Sequence, residues 1–332
     1  MNNILIEIIN KINESNNFVL TTHVNPDGDA IGSELALARY LTSIKKNVKI
    51  LNCSPTPEYL KFMLNYEDEI FEFNPKLQGH LINEADVIFI LDLNHLNRTQ
   101  TLEKFIRESD STIICIDHHE YPENFEDISL IDTSSSSTGE LIYRLIKTGN
   151  PKINYEFAVP LYVAIMTDTG SFKYERTTSE IHRITAELLD AGVIPKIIHQ
   201  EIYEQGSANR IQLLGRAFNS LVVDESGKLA YMIITSKDLT ETNGTEEDVE
   251  GFVNYTLSIK GVEVGIFFFE LERGFKMSFR SATKVPVNKL AAEFNGGGHF
   301  FASGARIENE IMDKTIPKVI DFAKDYLQKY FN

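Results

Sequence analysis

The sequence predicts an α/β protein of two domains: a parallel-sheet N-terminal domain, and a smaller C-terminal α/β domain with a mixed sheet. Three observations carry this prediction. The runs over 85–91 and 112–116 are too continuously apolar for half-exposed strands and suit parallel strands buried on both faces. Phe18-Val19-Leu20 leads through a loop closed by Pro26 and Gly28 into helical spacing at 34–41, a strand–loop–helix unit. From about Val193 the pattern changes to shorter strands, with a hairpin signal at Arg273-Gly274. The domains are expected at 1–192 and 222–332 with connecting helices over 193–221, and the active site in the cleft between them.

Leu5, Ile8, Ile9 and Ile12 recur at helical spacing, interrupted by Asn, Glu and Lys, which suits an amphipathic helix rather than a signal peptide or membrane span. Val48-Lys49-Ile50-Leu51 reads as a second strand and Ser54-Pro55-Thr56-Pro57 as a turn. Ser137 with Glu140 reads as a capping box ahead of 141–146, and Thr177 with Glu180 as another, opening a helix that Gly192 stops. Between them, Ala158, Leu161, Tyr162, Ile165 and Met166 mark a helix, with Asp168 and Gly170 at or beyond its end. Candidate strands follow at 229–234, 262–270 and 275–279, then a helix opened by Pro286 and ended by Gly296-Gly297-Gly298-His299, and a last amphipathic helix over 313–330.

A chain of 332 residues with 42% hydrophobic and 24% charged residues is globular and long enough for a sizeable core. Cys53 and Cys115 have no Cys-x-x-Cys neighbour, so no disulfide framework is implied and a reducing cytoplasm fits. The net charge of −16, without a basic tract, argues against binding of long nucleic acid, because that requires many phosphates to be neutralised by Lys and Arg. An anionic substrate must therefore be short and met by metal ions and a few arginines.

Ligands of open α/β sheets sit at the carboxyl ends of the strands. The first such end carries His23, Asp27 and Asp29, the next ones Asp92 and Asp117-His118-His119, and Asp168 follows a helix. Asp and Gly are also ordinary turn residues, so the first loop alone leaves a turn and a site equally open. Repeated delivery of acid and imidazole at strand ends favours the site. So many carboxylates raise one another's pKa values unless cations intervene. Imidazole and carboxylate ligands without thiolate favour manganese, iron, cobalt, zinc or magnesium, and a pair of ions roughly 3.5–4 Å apart would make a hydrolysis site.

In order along the chain stand His23-Val-Asn-Pro-Asp27-Gly-Asp29-Ala-Ile-Gly-Ser, Leu91-Asp92, Asp117-His118-His119 and Thr167-Asp168-Thr169-Gly170-Ser171-Phe172. With these motifs the chain resembles the DHH phosphoesterases. Its C-terminal half, with Ser278-Phe279-Arg280-Ser281 and Gly296-Gly297-Gly298-His299-Phe-Phe-Ala302-Ser303-Gly304, resembles the DHH-associated domain. The resemblance implies two divalent ions, Mn2+ before Mg2+, Co2+ or Fe2+. It assigns one ion to His23, Asp27 and Asp92 and the other to Asp29, Asp92, His118 and Asp168, with Asp92 bridging. Asp117 would fix an imidazole, and His119 would serve the scissile phosphate as donor or leaving-group acid. Arg98, Arg280, Gly297, Gly298, His299 and Ser303 would meet substrate.

An exposed helix charge is the lesser alternative for Arg98, while the glycine run taken alone is more often a helix stop than a site; Phe267-Phe268-Phe269 suits a core strand. His80, His95, His182 and His199 read as structural. The resemblance implies the oligoribonuclease and pAp-phosphatase branch, acting on RNAs of a few nucleotides or on pAp. A cyclic di-AMP or pApA phosphodiesterase is the alternative, ahead of a manganese pyrophosphatase or a silent nucleotide-binding regulator. No membrane partner is expected, and a homodimer is the oligomer left open.

Overall fold

The computed structural model describes residues 2–150, 152–298 and 300–331. The chain divides into two compact units, Met1–Gln205 and Gly206–Asn332. Of the stretch expected to connect them, the helix Pro195–Tyr203 belongs to the first unit and the helix Ala208–Asn219 to the second.

The first unit is built on six parallel strands: β1 (Asn17–Thr21), β2 (Asn47–Asn52), β3 (Ile70–Glu72), β4 (Val87–Leu91), β5 (Thr112–Asp117) and β6 (Ile128–Ile131). Their spatial order is β3-β2-β1-β4-β5-β6. Every residue of β4 is buried, as its unbroken apolar run requires of a central strand covered on both faces. The order reverses between β1 and β4, so the connections leaving these two strands diverge and open a crevice at their carboxyl ends.

Helices α1 (Asn2–Glu14), α2 (Gly28–Ser43), α3 (Pro75–Asn83), α4 (Thr101–Arg107), α5 (Thr138–Gly149), α6 (Tyr155–Asp168) and α7 (Ser179–Asp190) complete the layers. One apolar cluster joins Leu20 and Phe89 of the sheet to Ile31 and Leu35 of α2, Leu141 of α5 and Leu161 of α6. A second, with Ile88, Ile90, Ile82 and Leu102, lies under α3 and α4. Helix α2 packs tightly on α6 because Gly32 lacks a side chain; a Cβ there would stand 3.0 Å from the Ala164 Cβ.

Both expected capping boxes are corrected. The cap of α7 is Thr178, whose hydroxyl accepts from Ile181 N, and not Thr177, so the Thr177–Glu180 capping box does not form. The short strands β3 and β6 and the helices α3 and α4 carry too little periodic signal to be read from sequence. At α5, Ser137 Oγ accepts from Glu140 N, while the Glu140 carboxylate reaches back to Ser136 N rather than to Ser137. Among the described residues no helix is long and apolar enough to cross a membrane.

The second unit has a mixed sheet of β7 (Val222–Val223), β8 (Leu229–Ile234), β9 (Val264–Glu270), β10 (Phe275–Ser281), β11 (Gly297–Gly298) and β12 (Ala302–Ile307), in spatial order β11-β12-β10-β9-β8-β7. Only β8–β9 is parallel among the described pairings. Strict alternation sorts β10: Phe275, Met277 and Phe279 join the apolar cluster shared with the last helix, Met312–Phe331. Lys276, Ser278 and Arg280 take the other face. Phe268 is core, and Phe267 and Phe269 are buried in a separate cluster. The glycines expected to end the helix Val287–Ala292 form the edge strand β11 instead.

Candidate active site

The carboxyl ends of β1, β4 and β5 and the end of α6 bring the imidazoles and carboxylates together. The ligand atoms of His23, Asp27 and Asp92 lie within 4.8 Å of one another, as do those of Asp29, His118 and Asp168, and those of Asp92, His118 and His119. Asp92 is common to two of these groups. It follows β4 directly with φ +60, a left-handed conformation that Asp tolerates better than most residues.

His23 points Nδ1 at the Val24 carbonyl, 2.9 Å away, so an Nδ1–H donates there and Nε2 keeps its lone pair. That Nε2 lies 3.6 Å from Asp92 Oδ2. His118 Nε2 lies 3.7 Å from Asp29, 3.6 Å from Asp92 and 3.5 Å from Asp168. These separations are long for hydrogen bonds, yet two ligand atoms each about 2.1 Å from a shared ion stand roughly 3–3.5 Å apart. Together with the oxygen and nitrogen donor set, the spacing fits divalent ions.

The charges tell the same story. Burial, then the charges of Asp92, Asp168 and Asp27, raise Asp29 well above the usual carboxylate range. Asp168 is pushed up to about 6, by burial above all, with His118 offsetting part and Asp92 and Asp27 adding. Burial also works against Asp92, but the neighbouring His23 and the charges of His118 and His119 hold it lowered. A cluster of acids whose members cannot all ionise together is one that cations would relieve.

Asp117 is fully buried and its Oδ1 lies 2.7 Å from His119 Nδ1. Burial lowers the His119 pKa, but the Asp117 hydrogen bond and the charges of Asp92 and Asp117 outweigh it and leave it raised. The His119 imidazole is thus held in place by the buried Asp117 carboxylate. Arg98, in the short turn Leu96–Thr99, is half-buried and its guanidinium has no hydrogen bond or ion pair among the described residues. Its charge reaches His23 and His119 and offsets a small part of the rise in each. An unpaired cation beside proton donors suits a phosphate.

Sequence reasoning missed the N-terminus of α5. Thr138 N donates to Asp29 Oδ2 at 2.7 Å and Gly139 N to Asp29 Oδ1 at 2.8 Å, so the helix end holds both carboxylate oxygens. Gly139 permits the approach; a Cβ there would stand 3.3 Å from Asp29 Oδ1. Thr138 Oγ1 donates to Asp92 Oδ1 at 2.9 Å. The run Ser134 to Thr138 is the available signal, and it reads chiefly as a helix entry, with a direct substrate role as the lesser alternative. Thr138→Val should lower turnover about tenfold and raise the metal concentration needed for half-activation, while Thr138→Ser keeps both near wild type. Unchanged activation by metal in the valine variant would show that this hydroxyl does not orient Asp92.

Behind β1 lies another group that sequence reasoning passed over. Glu34 is fully buried; its Oε2 accepts from Asn52 Nδ2 at 2.8 Å, and Asn52 Oδ1 accepts from Thr22 N at 3.3 Å. Glu34 Oε1 has no hydrogen-bond partner among the described residues. Burial pushes this carboxyl up to about 8 despite the Asn52 hydrogen bond, with the Asp92 charge adding.

In the second unit Arg280 lies in register between Gly265 of β9 and Ala302 of β12, neighbours too small to cover its guanidinium. It lines a cavity of about 610 Å³ with Phe267, Phe269, Lys276, Gly297, Gly298 and Ser303. Its one described hydrogen bond goes to the Phe279 carbonyl, so most of its donors remain free. Ser303, by contrast, spends its hydroxyl on the Val287 carbonyl at 2.7 Å, and is buried. Expected site residue His299 lies outside the described residues.

A parallel sheet with acids and imidazoles gathered at its switch point, and a separate unit presenting a free guanidinium, define a hydrolase of phosphate esters. The family models agree: residues 17–165 match the N-terminal domain of the DHH family, and residues 226–329 match the DHHA1 domain. The "Bifunctional oligoribonuclease and PAP phosphatase NrnA" of Bacillus subtilis is 31% identical over 91% of this chain and 92% of its own. An exopolyphosphatase-related protein from Bacteroides fragilis, solved by crystallography, is 35% identical with a TM-score of 0.90, covering 99% of this chain and 97% of its own. RecJ of Thermus thermophilus in complex with Mn2+ shares the fold at 13% identity and a TM-score of 0.56, covering 98% of this chain and 55% of its own. The chain belongs to the DHH family and is a phosphoesterase.

Proposed function

We propose that this phosphoesterase hydrolyses RNAs of a few nucleotides to mononucleotides and removes the 3′ phosphate of pAp, using two divalent ions, manganese first among them. The observation that carries the reading is the pair of ligand groups sharing Asp92, His23–Asp27–Asp92 on one side and Asp92 with His118 on the other, the latter joined through His118 to Asp29 and Asp168. The oligoribonuclease and PAP phosphatase of Bacillus subtilis, similar along nearly the whole chain, supports the substrate class. RecJ with Mn2+ supports the metal.

Ions held there would supply positive charge for the phosphoryl oxygens and lower the pKa of water. The chain's own residues do the rest. Arg98 holds a non-bridging phosphate oxygen and limits how the phosphorus can turn. His119, protonated and anchored by Asp117, gives its proton to the departing oxygen. Asp29 stays fixed because two backbone N–H groups of α5 grip it. In the second unit, Arg280 and the side-chain-free backbone of Gly297 and Gly298 receive a further phosphate or nucleotide. The net charge of −16 supports a substrate with few phosphates, and the two unbridged cysteines support a cytoplasmic setting.

A manganese-dependent turnover panel tests the reading with a labelled RNA dimer and pentamer, a long RNA, pAp, cyclic di-AMP, pApA and pyrophosphate. RNA oligomers and pAp should be consumed and the long RNA spared. Preference for cyclic di-AMP, pApA alone or pyrophosphate would overturn it. Arg280→Ala should raise KM for the dimer about 10- to 100-fold with kcat changed far less, since it acts in binding. An unchanged KM would remove Arg280 from the substrate site.

A further inference from the structure

Between β11 and β12 stand two neighbouring aromatic residues, Phe300 and Phe301, that remain 42% and 55% exposed. Neither belongs to an apolar cluster of the described residues of the second unit. Their rings meet edge to face, with centroids 4.8 Å apart and planes at 63°. The backbone beneath them is fixed: the Phe300 carbonyl accepts from Val287 N and the Phe301 carbonyl from Ser281 N, each at 2.9 Å. Two large rings are thus held out toward solvent by an anchored chain, which a purely structural role does not require.

Their surroundings suggest what they meet. Gly297, Gly298, Ala302 and Ser303, on either side of the pair in sequence, line the cavity that holds Arg280. That cavity has a cation for a phosphate. The aromatic residues that line it, Phe267 and Phe269, are 3% and 2% exposed, so they offer no free ring face. A ligand combining phosphates with planar bases would need such a face next to the guanidinium.

We infer that Phe300 and Phe301 form a stacking subsite for a nucleobase of a short oligonucleotide whose phosphate is held at Arg280. The ligand class rests on the function proposed above. Stacking on phenylalanine is tolerant of base identity and depends on the presence of a base, so the subsite adds affinity for nucleotides without reading sequence.

The test is equilibrium titration of the full-length protein in EDTA, where hydrolysis does not intrude, with an RNA dimer and with the same dimer carrying one abasic ribose. Wild type should bind the intact dimer about tenfold more tightly than the abasic one. Phe300→Ala/Phe301→Ala should bind both alike, at the abasic level. Tyrosine at both positions should restore the difference, and leucine should not, because a ring face is required. Retention of the preference by the double alanine variant, or its absence in wild type, overturns the subsite. So does rescue by leucine, and so does concentration-dependent association of wild type that the alanine variant loses, which would make the pair a contact between copies. Failure of the proposed activity would show separately, as silence in the turnover panel.

Discussion

Asp92→Ala should abolish turnover, by about 10³-fold or more, because among the described residues no other carboxylate is common to the group of His23 and Asp27 and to the group of His118 and His119. The loss should also appear without substrate. An ion bound only by the folded state raises the thermal midpoint by mass action, so manganese should stabilise the wild-type protein measurably and the alanine variant much less. Asp92→Asn keeps the shape and the hydrogen bond from Thr138, yet replaces one ligand oxygen by an amide nitrogen; it should behave like alanine toward manganese. Near-normal turnover, or an undiminished rise in midpoint with manganese, would refute a shared carboxylate.

The parts of this site that were legible in the sequence share a physical feature: each stands where a strongly patterned element stops. His23 follows β1, Asp92 follows β4, and Asp117 closes β5, so reading the apolar run located the ligand. The motif order then assigned the groupings. What stayed hidden depends on distance in space. Thr138 and Gly139 are 109 and 110 residues from Asp29, and their contribution is a backbone N–H, which no residue type announces. Glu34 looked like one more helical position among 34–41, because its polarity says nothing about which face it takes. Helix α2 is buried along nearly its whole length, a consequence of its packing against α6 at Gly32, and that turns a surface-like residue into an interior acid. In the second unit the strand expected at 275–279 runs on to Ser281, and its alternation sets Arg280 opposite the core face, whereas the glycine run, expected to stop a helix or meet substrate, forms an edge strand.

Glu34→Gln should change how stability responds to pH more than any other substitution here. An unfolded glutamate titrates near 4.5, whereas Glu34 in the fold is raised to about 8, chiefly by burial. Between those values the native state keeps a proton that the unfolded chain has released, so stability falls as pH rises, by about 1.4 kcal/mol per unit. The contribution is fully present below the unfolded pKa and is lost as pH passes through the folded one. Glutamine fills the same volume, accepts from Asn52 as the protonated acid does, and titrates nowhere in this range. Urea unfolding in EDTA, at about pH 5.5 and 7.5, should therefore show wild type losing roughly 2–3 kcal/mol more than the variant over the interval. EDTA matters because cations at Asp92 would cancel the negative charge that helps raise Glu34. Parallel curves for the two proteins would mean that Glu34 is ionised in the folded state, and its unpartnered Oε1 would then need a cation beside it rather than a proton on it.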